Sequence, residues 1–235
     1  MASLLEKGVG CMSFPNAAKG VKRIYTAEIL KLFGYICLII GVATSAVLFF
    51  SEGNETFDSA AAVSLGALVV TVIMAIGYVV LMVTSFIMNL VGYINARNDN
   101  EKFKTALVFL IVGIVFSVVQ VFVLNTGFGS IMYSLSTLSE TLATIFVIAG
   151  VMQIAFQLGR EDIGKKGATV LKLIIAVECI TFVLSFFSTF FRGEAASFSS
   201  VSVLLMGASI LINFIKYILY LLFLSKSKKM LAENQ

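Results

Sequence analysis

The sequence lacks several residue types on which enzymes depend. Its 235 residues include no His, no Trp and a single proline, Pro15. Without His the chain cannot build a His-assisted Ser or Cys nucleophile or an HExxH zinc site. Its only aspartates are found in polar connecting segments, which excludes a paired-aspartate site inside a membrane: Asp58, Asp99 and Asp162. We therefore expect no enzymatic activity, no resident metal and no cofactor.

One segment imitates a phosphate-binding loop but lacks its final residue. Residues 159–165 match G-x-x-x-x-G-K, and the next position is Lys166 instead of the Ser or Thr whose hydroxyl would reach Mg²⁺. The motif also requires a preceding β-strand, whereas an apolar stretch of helical length precedes it here. We interpret the segment as a basic turn near lipid headgroups.

Charge is also scarce. Charged residues make up 13% of the chain and hydrophobic residues 59%, whereas a soluble domain carries about a quarter charged residues. The three cysteines, Cys11, Cys37 and Cys179, are placed in an N-terminal leader and in two apolar stretches. That placement excludes an extracellular disulfide framework. The composition indicates a polytopic integral membrane protein.

Six apolar stretches are long enough to cross a bilayer, which takes about 20 residues. Their predicted bounds are 29–50, 60–96, 104–124, 135–158, 168–191 and 201–224. The second stretch is interpreted as one long helix that is tilted or projects past the bilayer, and the alternative is a split near Gly77. We expect an all-α integral membrane protein, a bundle of six transmembrane helices in three hairpins. Residues 1–28 form its leader, 29–224 the membrane domain and 225–235 a basic tail.

Lysine and arginine residues set the predicted orientation. They cluster in the leader, in the second–third and fourth–fifth connections and in the tail, whereas the opposite connections hold the residues Glu52, Glu55, Asp58, Arg192 and Glu194. Because positive residues stay on the cytoplasmic side, both termini are expected in the cytoplasm. We predict a multi-pass protein of the cell (plasma or inner) membrane, without a cleavable signal peptide and of bacterial composition. The basic residues form no continuous face, so nucleic acid is not an expected partner.

Polar side chains inside the spans carry the functional signal, because such groups are costly in lipid. Helices five and six form a predicted hairpin centred near Ser197, and Glu178 and Lys216 are each nineteen residues from that centre. We predict that these two side chains meet and that Asn213 completes a candidate intramembrane polar site. The pair is either a clamp that fixes helix register or a proton- or ion-coupled site.

A secondary polar pair is predicted nearer the outer surface. Gln120 and Glu140 are expected at the same level of the third and fourth spans. The alternative for Glu140 is a carboxylate at a helix N-terminus, favoured by the helix dipole and reached by water.

Two functions fit this pattern. The first is a non-enzymatic accessory or scaffold subunit of a membrane complex. The alternative is a small permease or a membrane-embedded substrate-binding component for an ion or small solute. The lack of proline within the spans favours the first, because transporters often bind substrates at broken helices. Expected partners are the lipid bilayer and either another membrane protein or further copies of the chain.

The predicted topology can be tested by cysteine labelling. In a chain whose native cysteines are replaced, Glu55→Cys should react with a membrane-impermeant maleimide on intact cells. Lys228→Cys should react only after permeabilisation, because the lysine bias places the tail inside. Labelling of Lys228→Cys on intact cells would contradict the orientation.

Overall fold

The computed structural model of the protein describes residues 14–51, 57–123, 127–190 and 199–234. Within these ranges the chain forms helices joined by short connections, and it contains no strand. The helices are α1 (Pro15–Ser51), α2 (Phe57–Ala96), α3 (Glu101–Phe122), α4 (Gly127–Gln157), α5 (Glu161–Phe190) and α6 (Ser199–Glu233). The all-α prediction is confirmed for these residues. The predicted features at Cys11, Glu52, Glu55, Arg192, Glu194 and Ser197 lie outside them.

Five helices contain, within their described residues, a stretch long and apolar enough to cross a membrane: Pro15–Ala46, Gly66–Ala96, Glu101–Phe122, Ile131–Gln157 and Ile210–Glu233. Helix α5 is absent from this set. Its described side chains end at Thr181, and the preceding turns carry Lys172 and Glu178 among other charges. A sixth crossing therefore stays a prediction.

The second helix is long and continuous. It runs for 40 residues, or about 60 Å at 1.5 Å per residue, which exceeds the roughly 30 Å hydrocarbon core of a bilayer. No break occurs at Gly77, where an added Cβ would meet only Cys37 Sγ at 3.9 Å. The single long helix is confirmed and the split is wrong.

Four helix ends extend beyond their predicted spans. Helix α1 begins at Pro15 instead of residue 29, α4 at Gly127 instead of 135 and α5 at Glu161 instead of 168, and α6 continues to Glu233 instead of 224. Hydropathy marks the length of chain that suits lipid, whereas a helix continues wherever its backbone is satisfied and one face is buried. The leader and the tail are therefore helical over residues 15–28 and 225–233.

A carboxylate from the α2–α3 turn caps the start of α1. Pro15 occupies the first helical position, where its missing N–H costs nothing. Asp99 Oδ2 accepts a hydrogen bond from the Ala17 backbone N–H at 2.7 Å, and Oδ1 accepts one from Asn16 Nδ2 at 2.9 Å. The negative charge also suits the positive end of the helix dipole. This cap explains why the helix starts so early in the chain.

The chain divides into two compact units. In the first, Lys22–Gly92, helices α1 and α2 run antiparallel. An added Cβ at Gly41 would lie 3.4 Å from Met74 Cβ, and the hydroxyls of Thr44 and Thr71 are 3.1 Å apart. Ser85 donates to the Ala27 carbonyl oxygen at 2.8 Å. Small residues and hydroxyls therefore join these two helices.

The second unit comprises Met1–Val21 and Tyr93–Gln235. Its α3–α4, α4–α5 and α5–α6 neighbours pack antiparallel. The largest fully buried side chains of this unit lie near the start of α3 and near the ends of α4 and α6. They include Phe103, Ile148, Ile154, Leu224 and Met230. The core is therefore built at the end of the unit that the charge pattern predicts to be cytoplasmic. The arrangement of three hairpins as one bundle stays a prediction.

Gly167 allows α5 to lie close to two helices at once. An added Cβ would clash with Met152 Cγ of α4 and would lie 3.0 Å from the ring of Phe223 of α6. Crowding of this kind costs about 1–3 kcal/mol.

We expect Gly167→Val to lower the thermal unfolding midpoint of the purified protein. Gly66→Val is the matched control, because an added Cβ at that helical glycine meets nothing within 4 Å. The change in helix propensity is the same at both positions, so the difference between the variants reports crowding alone. We expect Gly167→Val to be less stable by about 1–3 kcal/mol. Equal midpoints for the two variants would contradict the close approach.

Candidate functional site

An ion pair joins α5 and α6. Lys216 Nζ lies 2.5 Å from Glu178 Oε1. The Lys216 side chain is 20% exposed and the Glu178 side chain 27% exposed. The contact predicted from their equal distances to the hairpin centre is therefore present. Its role in function stays a prediction.

The packing at Gly167 is a second contact between the two helices that carry this pair. Glu178 is eleven residues beyond Gly167 on α5, or about three turns, which places both on the same face of the helix. Lys216 precedes Phe223 by seven residues, about two turns of α6. Gly167 faces Phe223, but the two spacings differ by four residues, or about 6 Å, so this contact does not by itself place Glu178 level with Lys216.

A second set of charges holds the same register at the far end of the helices. Arg160, in the α4–α5 turn, donates to Glu233 at 3.1 Å and lies 3.5 Å from Asp162. The hydrogen bond with Glu233 is the main cause that raises the pKa of Arg160, with Asp162 adding to it and burial opposing it. A group whose pKa is raised by folding stabilises the folded state at pH values below its ordinary pKa. That contribution is lost as the pH rises through the raised pKa. For a guanidinium that loss falls at strongly alkaline pH, so these contacts are insensitive to pH near neutrality.

Asn213 is half-buried and lies three residues before Lys216 on α6. This spacing places both side chains on one helix face. The structure thus keeps all three predicted residues, Glu178, Lys216 and Asn213, in one region of the α5–α6 pair.

Gln120 and Glu140 are not level with each other. Glu140 Cγ lies 3.7 Å from the Cβ position of Gly113, and Gln120 is seven residues farther along α3, about 10 Å. Because α4 begins at Gly127, the connection between α3 and α4 lies earlier in the sequence than hydropathy indicates. The same start places Glu140 well inside α4, so the helix N-terminus alternative is also wrong.

Serines form the polar contact between α3 and α4 instead. The hydroxyls of Ser117 and Ser136 are 2.6 Å apart. Ser136 also donates to the Gly113 carbonyl oxygen at 3.0 Å. These hydroxyls need no charged partner, because each is satisfied by the neighbouring helix.

Sequence reasoning missed a buried polar cluster in the α1–α2 unit. Glu28 is 5% exposed and Asn89 is 3% exposed. Glu28 Oε1 accepts hydrogen bonds from Asn89 Nδ2 at 3.0 Å and from Lys31 Nζ at 3.3 Å. The available signal was the Glu–Lys spacing of three on one helix and an Asn at position 89 within a long apolar stretch.

One atom of this cluster has no hydrogen-bond partner. Asn89 Oδ1 is buried and unpaired, although Nδ2 of the same amide donates to Glu28. Reversing the amide would place its oxygen against the carboxylate, so the orientation is fixed by electrostatic repulsion. A buried acceptor of this kind is ordinarily satisfied by a water molecule.

Within the part of the chain that the structure describes, these polar groups belong neither to a metal-ligand cluster nor to the groove on α4. Among the described residues, no three His, Cys, Asp or Glu side chains lie close enough to hold a metal ion. An open, largely apolar groove on α4 is lined by Ala149, Met152, Gln153, Phe156 and Gln157. None of the predicted site residues lines it.

Comparison of the chain with protein-family models, with curated proteins and with solved structures finds no match.

The ion pair can be tested by a double-mutant cycle. Glu178→Gln and Lys216→Met should each lower stability by about 1–3 kcal/mol, between the values for exposed and fully buried pairs. The double variant should regain much of that loss, because neither charge is then left unpaired. Thermal unfolding of the purified protein measures all three.

Lys172→Met is the control, since it removes an exposed lysine of the same helix. It should change the unfolding midpoint little. If the effects of Glu178→Gln and Lys216→Met simply add in the double variant, the two side chains do not interact.

Proposed function

We propose that this protein is a multi-pass protein of the cell membrane, with both termini in the cytoplasm, that acts as a non-enzymatic accessory or scaffold subunit. Five long apolar helices support insertion into a membrane. The distribution of lysines and arginines supports the orientation. In this proposal its apolar helix faces pack against another membrane protein.

The exposed surface of α2 is the observation that carries the proposal. The most apolar stretch of its candidate span contains no buried residue. Large aliphatic side chains there are at least half exposed: Leu68, Val72, Ile73, Ile76, Val79, Val80, Val83 and Ile87. An apolar surface of this length is rarely left in contact with water. Lipid or protein must therefore cover it.

The pattern of these residues favours a protein partner on part of that surface. Val72, Ile76, Val79 and Val83 recur every three or four residues, which forms a stripe along one face of α2. Several small residues and hydroxyls of the unit, among them Gly41, Thr44 and Thr71, are already used between α1 and α2. In lipid, association of helices depends on close packing of such surfaces, and a ridge of branched side chains fits the groove of a neighbouring helix.

Purification in mild detergent tests the accessory role. The wild-type protein should remain in membranes after carbonate washing and should copurify with one membrane protein near equal stoichiometry. Ile76→Trp with Val79→Trp should keep the protein in the membrane but lower recovery of that partner at least tenfold, because the bulky rings prevent close packing.

The control is Val118→Trp on α3, which also enlarges an exposed side chain. It should leave recovery of the partner unchanged. Absence of a stoichiometric partner from the wild-type preparation would contradict the accessory role, and release by carbonate would contradict membrane insertion.

The partial exposure of the Glu178–Lys216 pair favours a second candidate, a small permease that couples to a proton or ion. An ionisable pair within apolar helices commonly lies on a transport pathway. In a permease the Glu178→Gln, Lys216→Met double variant would fold and lose transport. In a scaffold it would fold and retain its partner.

A further inference from the structure

We infer that two copies of this chain associate through the α5–α6 face that carries Glu178 and Lys216, so that each carboxylate faces the ammonium group of the other copy. This inference rests on the membrane insertion proposed above. A second copy is then one partner of the scaffold, and it binds a surface distinct from the stripe on α2.

The ion pair between Glu178 and Lys216 is partly exposed. The contact between Nζ and Oε1 neutralises both charges, yet about a quarter of each side chain faces outward. The surrounding side chains Ile175, Ile212 and Ile215 are exposed and apolar. In a bilayer this face would place the edge of an ion pair against hydrocarbon, which is costly. A protein surface that supplies charges of its own would contact this face at a lower free-energy cost than lipid.

Because of the geometry of the pair, the same face of a second copy is a complementary binding surface. Glu178 and Lys216 lie side by side on neighbouring antiparallel helices, at one level along the helix axes. A twofold axis along the membrane normal keeps every residue at its own depth and exchanges left for right across the interface. It therefore places Glu178 opposite Lys216 of the second copy, and Lys216 opposite its Glu178. The patch is self-complementary, as a symmetric dimer requires.

An ion pair along a single helix would not have this property. The same twofold axis would bring residues of identical number to the same depth, so like charges would face each other. The Glu28–Lys31 pair of α1, three residues apart on one helix, is of that kind, and Glu28 is buried within its own unit. The α5–α6 pair is suited to self-association because it bridges two helices.

Charge reversal with co-expression tests the dimer directly. Glu178→Lys gives a face with two cations, and Lys216→Glu gives a face with two anions. Each variant expressed alone with two different tags should show at least tenfold less copurification of the tags than the wild type does. Co-expressed with each other, the two variants should restore copurification to near the wild-type level, because opposite charges then meet across the interface.

Two results would overturn the inference. One is failure of two differently tagged wild-type copies to copurify in mild detergent. The other is self-association of either single variant as strong as that of the mixture, since the charges would then not determine assembly.

A second measurement keeps the wild-type ion pair and so does not depend on the folding of the charge variants. Cys179 is exposed and adjacent to Glu178. In membranes containing a chain with Cys11→Ser and Cys37→Ser, a short bismaleimide should join two copies through Cys179. Val118→Cys in the same background with Cys179→Ser is the control on α3 and should give no dimer. Absence of a Cys179 dimer, or equal dimer yield at the control position, would overturn the inference.

Failure of this inference is distinguishable from failure of the proposed function. A protein that resists carbonate extraction and retains its membrane partner, but remains a single copy, contradicts only the dimer. A protein released by carbonate contradicts the membrane role itself.

Discussion

The close approach of α5 to both α4 and α6 at Gly167 is the contact on which the larger unit depends. Only a residue without a side chain fits between Met152 and Phe223. The approach lets α4, α5 and α6 pack together at one position. The Glu178–Lys216 ion pair joins α5 and α6 again three turns farther along α5, so an apolar contact and a charged contact both connect these two helices.

Much of the helical organisation could be predicted, because apolar length and lysine placement are read directly from the sequence. The meeting of Glu178 and Lys216 followed from symmetry about a turn and tolerated an error of a residue or two. Gln120 and Glu140 were misplaced because α4 begins at Gly127, eight residues before the predicted span, and hydropathy does not mark where a helix begins. The burial of Glu28 and Asn89 depends on which faces of α1 and α2 meet, and no single-residue property specifies that.

The charged groups of the two units are satisfied in different ways. Glu28 is enclosed and receives two donors at one oxygen, so its charge is satisfied within the α1–α2 unit. Glu178 has one short ion pair and keeps part of its side chain exposed. The first arrangement specifies how two helices fit together. The second leaves part of an ion pair exposed at a surface, where it can select what packs there.

The extension of α6 to Glu233 has a consequence for biosynthesis. Tyr220, Phe223, Leu224, Met230 and Leu231 complete the buried core of the larger unit, and they are translated after α3, α4 and α5. That core lies at the end predicted to face water, where the hydrophobic effect drives its closure. The apolar side chains that α3, α4 and α5 contribute to this core therefore stay without their α6 partners until α6 has been translated, and only then can the core close.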